Sequence, residues 1–195
     1  MSNPPASSEV VSIADADLVI RARGGDRAAE DLLYRRHAPA VARTVVRLAG
    51  SKQDAEDIVH DAFVSAFSQL GRLREPAAFK GWLTQIAITY VRRSIRRTRL
   101  RRALGLLPAT DDACLERLAS RDLSPERRAD LAVIDSILAR TAADDRIAWS
   151  LRMIEGQKLE EVAELTGCSL ATAKRRIARV QARVDATVRM TGEGS

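Results

Sequence analysis

Five cations, Lys174, Arg175, Arg176, Arg179 and Arg183, fall within one stretch of predicted helix that carries no acid before Asp185. A helix loaded in this way is suited to a polyanion. The element that must position it runs from Leu159 to Val180, LEEVAELTGCSLATAKRRIARV. Val162 and Ala163 stand where a first helix meets a second, and Gly167 falls at the tight turn, where positive φ is cheap only for glycine. Ser169 is placed to cap the second helix, and Leu170, Ala173, Ile177, Val180 and Val184 recur at helical spacing as its buried stripe. A charge run alone is also the mark of an ordinary helical hairpin with a solvated face. The Ala, Gly and Ser positions together with the Thr-x-Lys-x-Arg order favour a DNA-reading helix-turn-helix. Ser169 and Thr172 then lie at the helix start, Thr172 and Arg175 nearest the base edges, and Arg179 and Arg183 nearest the phosphates.

A second cationic element spans Arg92 to Arg102, RRSIRRTRLRR, with seven arginines and no acid. At 100° per residue Arg92, Arg96 and Arg99 share a face, with Arg93 and Arg97 beside it. Phe79, Trp82 and Tyr90 precede this run, and aromatics beside cations suit melted DNA, where bases stack and phosphates are neutralised. Phe63, Phe67 and Trp82 match apolar stripes and are expected in the core. Phe79 and Tyr90 are the expected exposed stackers.

The helix predicted from Gln53 to Leu70 has the opposite charge. Val59, Ala62, Phe63, Ala66, Phe67 and Leu70 gather on one face, while Asp54, Asp57 and Asp61 gather on another. Asp54 and Asp57 could simply favour a helix N-terminus, but Asp61 lies beyond its reach. An acidic strip on a DNA-directed protein points to a basic protein partner.

Lys and Arg number 32 against 26 Asp and Glu, a net charge of +6, which steers a chain toward nucleic acid. No apolar run approaches the ~18 residues of a membrane span, and the start MSNPPASSEV does not resemble a signal peptide, so a cytoplasmic protein without membrane insertion is expected. Cys114 and Cys168 stand apart from each other and from His37 and His60, which suggests no disulfide, metal or cofactor site. The periodicity is helical almost throughout, giving an all-α fold of two small domains. A disordered leader (1–14) precedes the first domain (15–102), with a helix from Asp17 to Arg23 and a longer one from Arg27 to Leu48 that Pro39 should kink or divide. A linker (103–124), a helix-turn-helix domain (125–190) with Leu138, Ile147, Leu151 and Ile154 in its core, and a disordered tail (191–195) complete the chain.

The run DAEDIVHDAF (Asp54 to Phe63), the run GWLTQIA (Gly81 to Ala87) with its trailing arginines, and the terminal helix-turn-helix together resemble an extracytoplasmic-function sigma factor of the sigma-seventy family. The resemblance extends from Asp15 to about Val184. It implies that the first domain, region two, binds the β′ clamp helices of RNA polymerase core and recognises and melts the promoter minus-ten element. It implies that region four binds the minus-thirty-five element and the β flap. Asp54, Asp57, His60 and Asp61 then match the core-binding helix, although family members commonly carry Gln-Glu in place of His60-Asp61. The segment Arg74 to Lys80 matches the loop that captures a flipped base, and with Phe79, Tyr90 and the arginines above forms the minus-ten surface. Thr89 and Arg93 stand where members commonly carry Asn and Asp, which shifts this helix toward phosphate binding. Ser169, Thr172, Lys174, Arg175, Arg176, Arg179 and Arg183 form the minus-thirty-five set. Many members have an anti-sigma partner. The chain would not be an enzyme, since no Walker, H-E-x-x-H or G-x-S-x-G pattern is present. A free-standing helix-turn-helix regulator and a degenerate sigma-like decoy are the alternatives.

Overall fold

Gly24 and Gly25 end the first helix because the chain must reverse there, and Gly25 adopts φ +87°. The next residue begins the following helix. Asp26 Oδ1 accepts the amide N–H groups of Ala28 and Ala29 at 2.9 and 3.2 Å, while Oδ2 receives Arg21 Nε at 2.9 Å. In the computed structural model, which describes residues 13–49, 52–106 and 124–192, this turn joins α1 (Asp15–Arg23) to α2 (Arg27–Ala49). There follow α3 (Lys52–Ser68), one-turn 3-10 helices at Leu70–Arg72 and Pro76–Ala78, and α4 (Phe79–Ala103). The second half comprises α5 (Pro125–Arg140), α6 (Ala143–Met153), α7 (Leu159–Thr166) and α8 (Leu170–Gly192). No strand occurs among the described residues.

Pro39 does not divide α2, which continues through it. The proline is exposed, so the Arg35 carbonyl that loses its amide partner can be solvated. Leu170 also departs from expectation: at 45% exposure it lies outside the buried stripe, while Ala173, Val180 and Val184 occupy it. At the first position of α8 its side chain has no preceding turn to pack on. Cys114, most of the expected linker, and nearly all of the leader lie outside the described residues.

The larger core is built from Leu33 and Val45 of α2, Val59 and Phe63 of α3, and Leu83, Ile88 and Val91 of α4. It continues without a break into Ala143, Ile147, Leu151, Val162 and Ala173, so the two halves pack against each other. A smaller core, Leu138, Trp149, Val180 and Val184, belongs to the second half alone. Ile154 is only partly buried at its margin.

The Asp26 carboxyl is held below the ordinary aspartate range first by the Arg21 hydrogen bond and then by the Ala29 amide. Its contribution is therefore present above the unfolded-state value and is lost as pH falls through the lower folded one. Asp26→Ala should lower the thermal midpoint at neutral pH, with the difference from wild type shrinking below about pH 4. Melting curves across that range check it, and a constant difference would remove Asp26 from the cap.

Candidate nucleic-acid interface

Residue by residue, the helix-turn-helix forms as its glycine and serine require. Glu161 accepts the Lys158 amide at 2.6 Å at the start of α7, and Gly167 ends the helix at φ +64°. The Cys168 amide then reaches back to the Ala163 carbonyl at 3.0 Å, closing the turn in the Schellman pattern. Cys168 itself is half-buried, its Sγ 3.2 Å from the Thr166 hydroxyl. Ser169 caps α8 by accepting the Thr172 amide at 3.3 Å. Its hydroxyl also lies 2.9 Å from that of Thr172, which in turn accepts Arg175 at 3.4 Å. Ser169, Lys174, Arg175, Arg179 and Arg183 are exposed, and Thr172 is half-buried. The cations do not all face outward freely. Arg179 pairs at 2.7 Å with Asp145, whose side chain is buried, and Arg176 approaches both Asp144 and Asp145.

The arginines of α4 divide between two faces. Arg92 and Arg96 meet Asp144 of α6 at 2.5 and 3.2 Å, and Arg99 donates to the Thr141 carbonyl at 3.2 Å. The face that Arg92, Arg96 and Arg99 share is thus turned toward the second half. Arg93 and Arg97 lie on the other side, in a groove of about 240 Å³ whose opposite wall is Asp54, Asp57 and Asp61 of α3. Tyr90 lines this groove beneath the Arg93 guanidinium, 5.5 Å from its ring centroid. Asp57, His60 and Asp61 are exposed and Asp54 is half-buried, so the acidic strip opens to solvent along its outer edge. The Thr89 hydroxyl donates to the Gln85 carbonyl of its own helix at 3.1 Å.

Arg74, between α3 and α4, and Lys80, in the first turn of α4, are exposed. The turn that carries Arg74 is fastened from α1. Arg23 donates to the Leu70 carbonyl at 3.1 Å and to the Leu73 carbonyl.

Comparison with known proteins supplies a family for this geometry. Residues 33–101 match the sigma-70 region 2 family model. The RNA polymerase sigma-H factor of Pseudomonas aeruginosa is 30% identical, the likeness covering 88% of this chain and 92% of that protein. The ECF RNA polymerase sigma-E factor of Escherichia coli K12 is also 30% identical, over 89% of this chain and 93% of that one. This chain belongs to the ECF sigma factor family. Its fold resembles the sigma factor RpoE of Bartonella quintana, solved with the anti-sigma factor NepR, at TM-score 0.57 and 21% identity over 82% of this chain and 96% of that one.

Of the two aromatics expected as exposed stackers in this sigma factor, Tyr90 is half-buried against the core beneath Arg93, and Phe79 is corrected outright. Phe79 is fully buried, against His37 and Trp82 at ring-centroid separations of 5.4 and 6.4 Å, and offers no face to a base. It opens α4 beside exposed Lys80, so in sequence it looked like part of the loop, whereas its ring turns inward beneath α2. Trp82, expected in the core, is half-buried at its edge. Sequence reading missed Arg23, Asp144 and Asp145. The two adjacent aspartates resemble ordinary first-turn acids favoured by the helix dipole, and nothing local marks them as partners of distant arginines. Among the described residues no group of His, Cys, Asp and Glu is arranged to hold a metal, and no helix is long and apolar enough to cross a membrane.

Phe79→Ala should cost about 3 to 5 kcal/mol of folding stability, as for other fully buried aromatics. Urea unfolding checks this. A variant of undiminished stability with a selective defect on DNA would return Phe79 to the interface.

Proposed function

We propose that this sigma factor binds core RNA polymerase, selects promoters and opens them, leaving the chemistry of RNA synthesis to the polymerase. The observation that carries this reading is that the likeness to sigma factors runs through both halves. The family model takes in the acidic edge of α3, and the whole-chain relatives carry the likeness over 88% and 89% of the chain. A free-standing regulator would leave that acidic edge without a role.

In this reading Asp54, Asp57, His60 and Asp61 face a basic surface on the polymerase, the β′ clamp helices. The loop from Arg74 to Lys80, with Tyr90 and the α4 arginines, serves the minus-ten element. Thr89, engaged with its own helix, leaves affinity there to arginine, so electrostatics dominates over base reading on α4. On α8, Ser169 and Thr172 at the helix start and Arg175 beside them face the minus-thirty-five base edges, while Lys174, Arg176, Arg179 and Arg183 hold phosphates. The second half also takes the β flap. The site of action is the cytoplasm, with the polymerase, and an anti-sigma factor is proposed as a further partner by analogy with the Bartonella complex.

Run-off transcription with purified core polymerase tests the reading directly. Initiation that depends on this chain is expected, whereas polymerase binding without initiation would favour a sigma-like decoy. Replacing Asp54, Asp57 and Asp61 together by Lys should abolish holoenzyme formation while leaving the helical content intact, because like charges at an interface cost several kcal/mol. Normal core binding by that folded variant would refute the assignment of α3. Arg175→Ala should lose about 1 to 3 kcal/mol of discrimination at one or two promoter positions. Equal losses on matched and scrambled upstream elements would remove Arg175 from the bases.

A further inference from the structure

The proposed function gives α1 no role, yet its first and last residues hold the two ends of the loop from Arg74 to Lys80. At the near end Arg23, the last residue, spans two backbone carbonyls, that of Leu70 at 3.1 Å and that of Leu73. Leu73 is the C-cap of a one-turn helix, where carbonyls lack helical partners. The planar guanidinium fork holds both oxygens in one geometry, which a lysine ammonium does not. At the far end Phe79 is fully buried, its ring centroid 5.4 Å from that of His37. Asp15, the first residue of α1, meets buried His37 at 2.8 Å with one carboxylate oxygen and Arg36 at 2.6 Å with the other. Between these anchors Arg74, Glu75, Ala77 and Ala78 are exposed. Their backbone is shaped locally. Pro76 fixes its own φ, the Glu75 carboxylate accepts the Ala77 amide at 3.5 Å, and the Glu75 carbonyl accepts the Ala78 amide at 3.0 Å. Seated by Leu18 and Val19, both fully buried, the nine residues of α1 form a strut of about 13 Å.

We propose that Arg23 and Asp15 are positioning residues for the minus-ten element, with α1 bracing the loop at both ends so that it meets DNA already in shape. For the loop's role this rests on the proposed function. No side chain of α1 has to touch DNA. A loop displaced by as little as an ångström loses the hydrogen bonds that separate one base from another, whereas its long-range attraction to phosphate hardly changes. A loop that must first order itself also gives up binding energy to conformational entropy. Loss of the brace therefore weakens base choice more than overall affinity, which comes from Arg74, Lys80 and the α4 arginines and depends on charge alone. The acidic edge of α3 takes no part in these contacts, so core polymerase binding is independent of the brace.

The test uses holoenzyme and fork-junction DNA whose minus-ten element wild-type holoenzyme has selected from a random-sequence pool. Affinities are measured for that probe, for probes with one minus-ten base replaced, and for a scrambled probe. A base pair that is read is typically worth about 5- to 150-fold. Arg23→Gln should reduce the wild-type preference at one or more minus-ten positions by at least about fivefold. It should bind core polymerase and the scrambled probe as wild type does. Arg23→Lys should lose nearly as much preference, because it keeps the charge and not the fork. Preference retained by either variant, or equal losses of affinity on selected and scrambled probes, would overturn the brace. Val45→Ala, in the buried face of α2, controls for stability and should keep the wild-type preference. A loss there as large as that of Arg23→Gln would also overturn the brace, since general softening would then suffice. Should Arg23→Gln lose cooperative unfolding, Asp15→Ala releases the far end and should lower the preference in the same way; an unchanged preference in that variant would overturn the proposal. Failure of wild-type holoenzyme to enrich any minus-ten sequence would instead count against the proposed function.

Discussion

The way the two halves meet depends on neutralising arginines on two helices, α4 and α8, whose cationic runs contain no acid of their own. From Arg92 to Arg102 no acid interrupts the run, and none precedes Asp185 on α8. The carboxylates that compensate them come from elsewhere in the chain. Asp144 and Asp145 occupy the first turn of α6, where the helix dipole already favours negative charge, and so offer concentrated anion at little cost of their own. Removing one member of such a partly buried cluster leaves the others uncompensated, which is more costly than losing an exposed pair.

The position of α4 follows from that constraint and from its apolar stripe. Its 25 residues span about 37 Å. Leu83, Ile88, Val91 and Ile95 are buried in the core with α2 and α3. One flank then meets the acids of α3 through Arg93 and Arg97, and the other meets α6 and α7 through Arg92, Arg96 and Arg99. The helix is therefore at once the spine of the first half and the contact surface for the second. The continuous core through Ile147, Leu151 and Val162 supplies the apolar part of that contact, and the ion pairs fix its register.

Much of this was legible in sequence because it depends on local rules. Gly167 and Ser169 set the turn and the cap of the helix-turn-helix, Pro125 opens α5 at its first position, and the apolar period of α3 gives its buried face. The composition of α4 and α8 likewise made them cationic whatever their neighbours. What sequence could not supply was the far end of each interaction. A helical wheel groups Arg92, Arg96 and Arg99 correctly, yet says nothing of whether that face meets phosphate, solvent or Asp144. Phe79 was misplaced for the same reason: its neighbours in sequence are exposed, and its neighbours in space are His37 and Trp82. Arg23 gave no sign of its role because its partners, the Leu70 and Leu73 carbonyls, are backbone groups.

The ion pairs between α4 and α6 fix how the two halves meet. A double-mutant cycle of Arg92→Ala and Asp144→Ala, read by urea unfolding of the full chain, measures their share of the contact most directly. A coupling energy of about 1 kcal/mol or more is expected. Strictly additive losses would show that the pair contributes nothing to the contact and that the shared apolar core alone sets it.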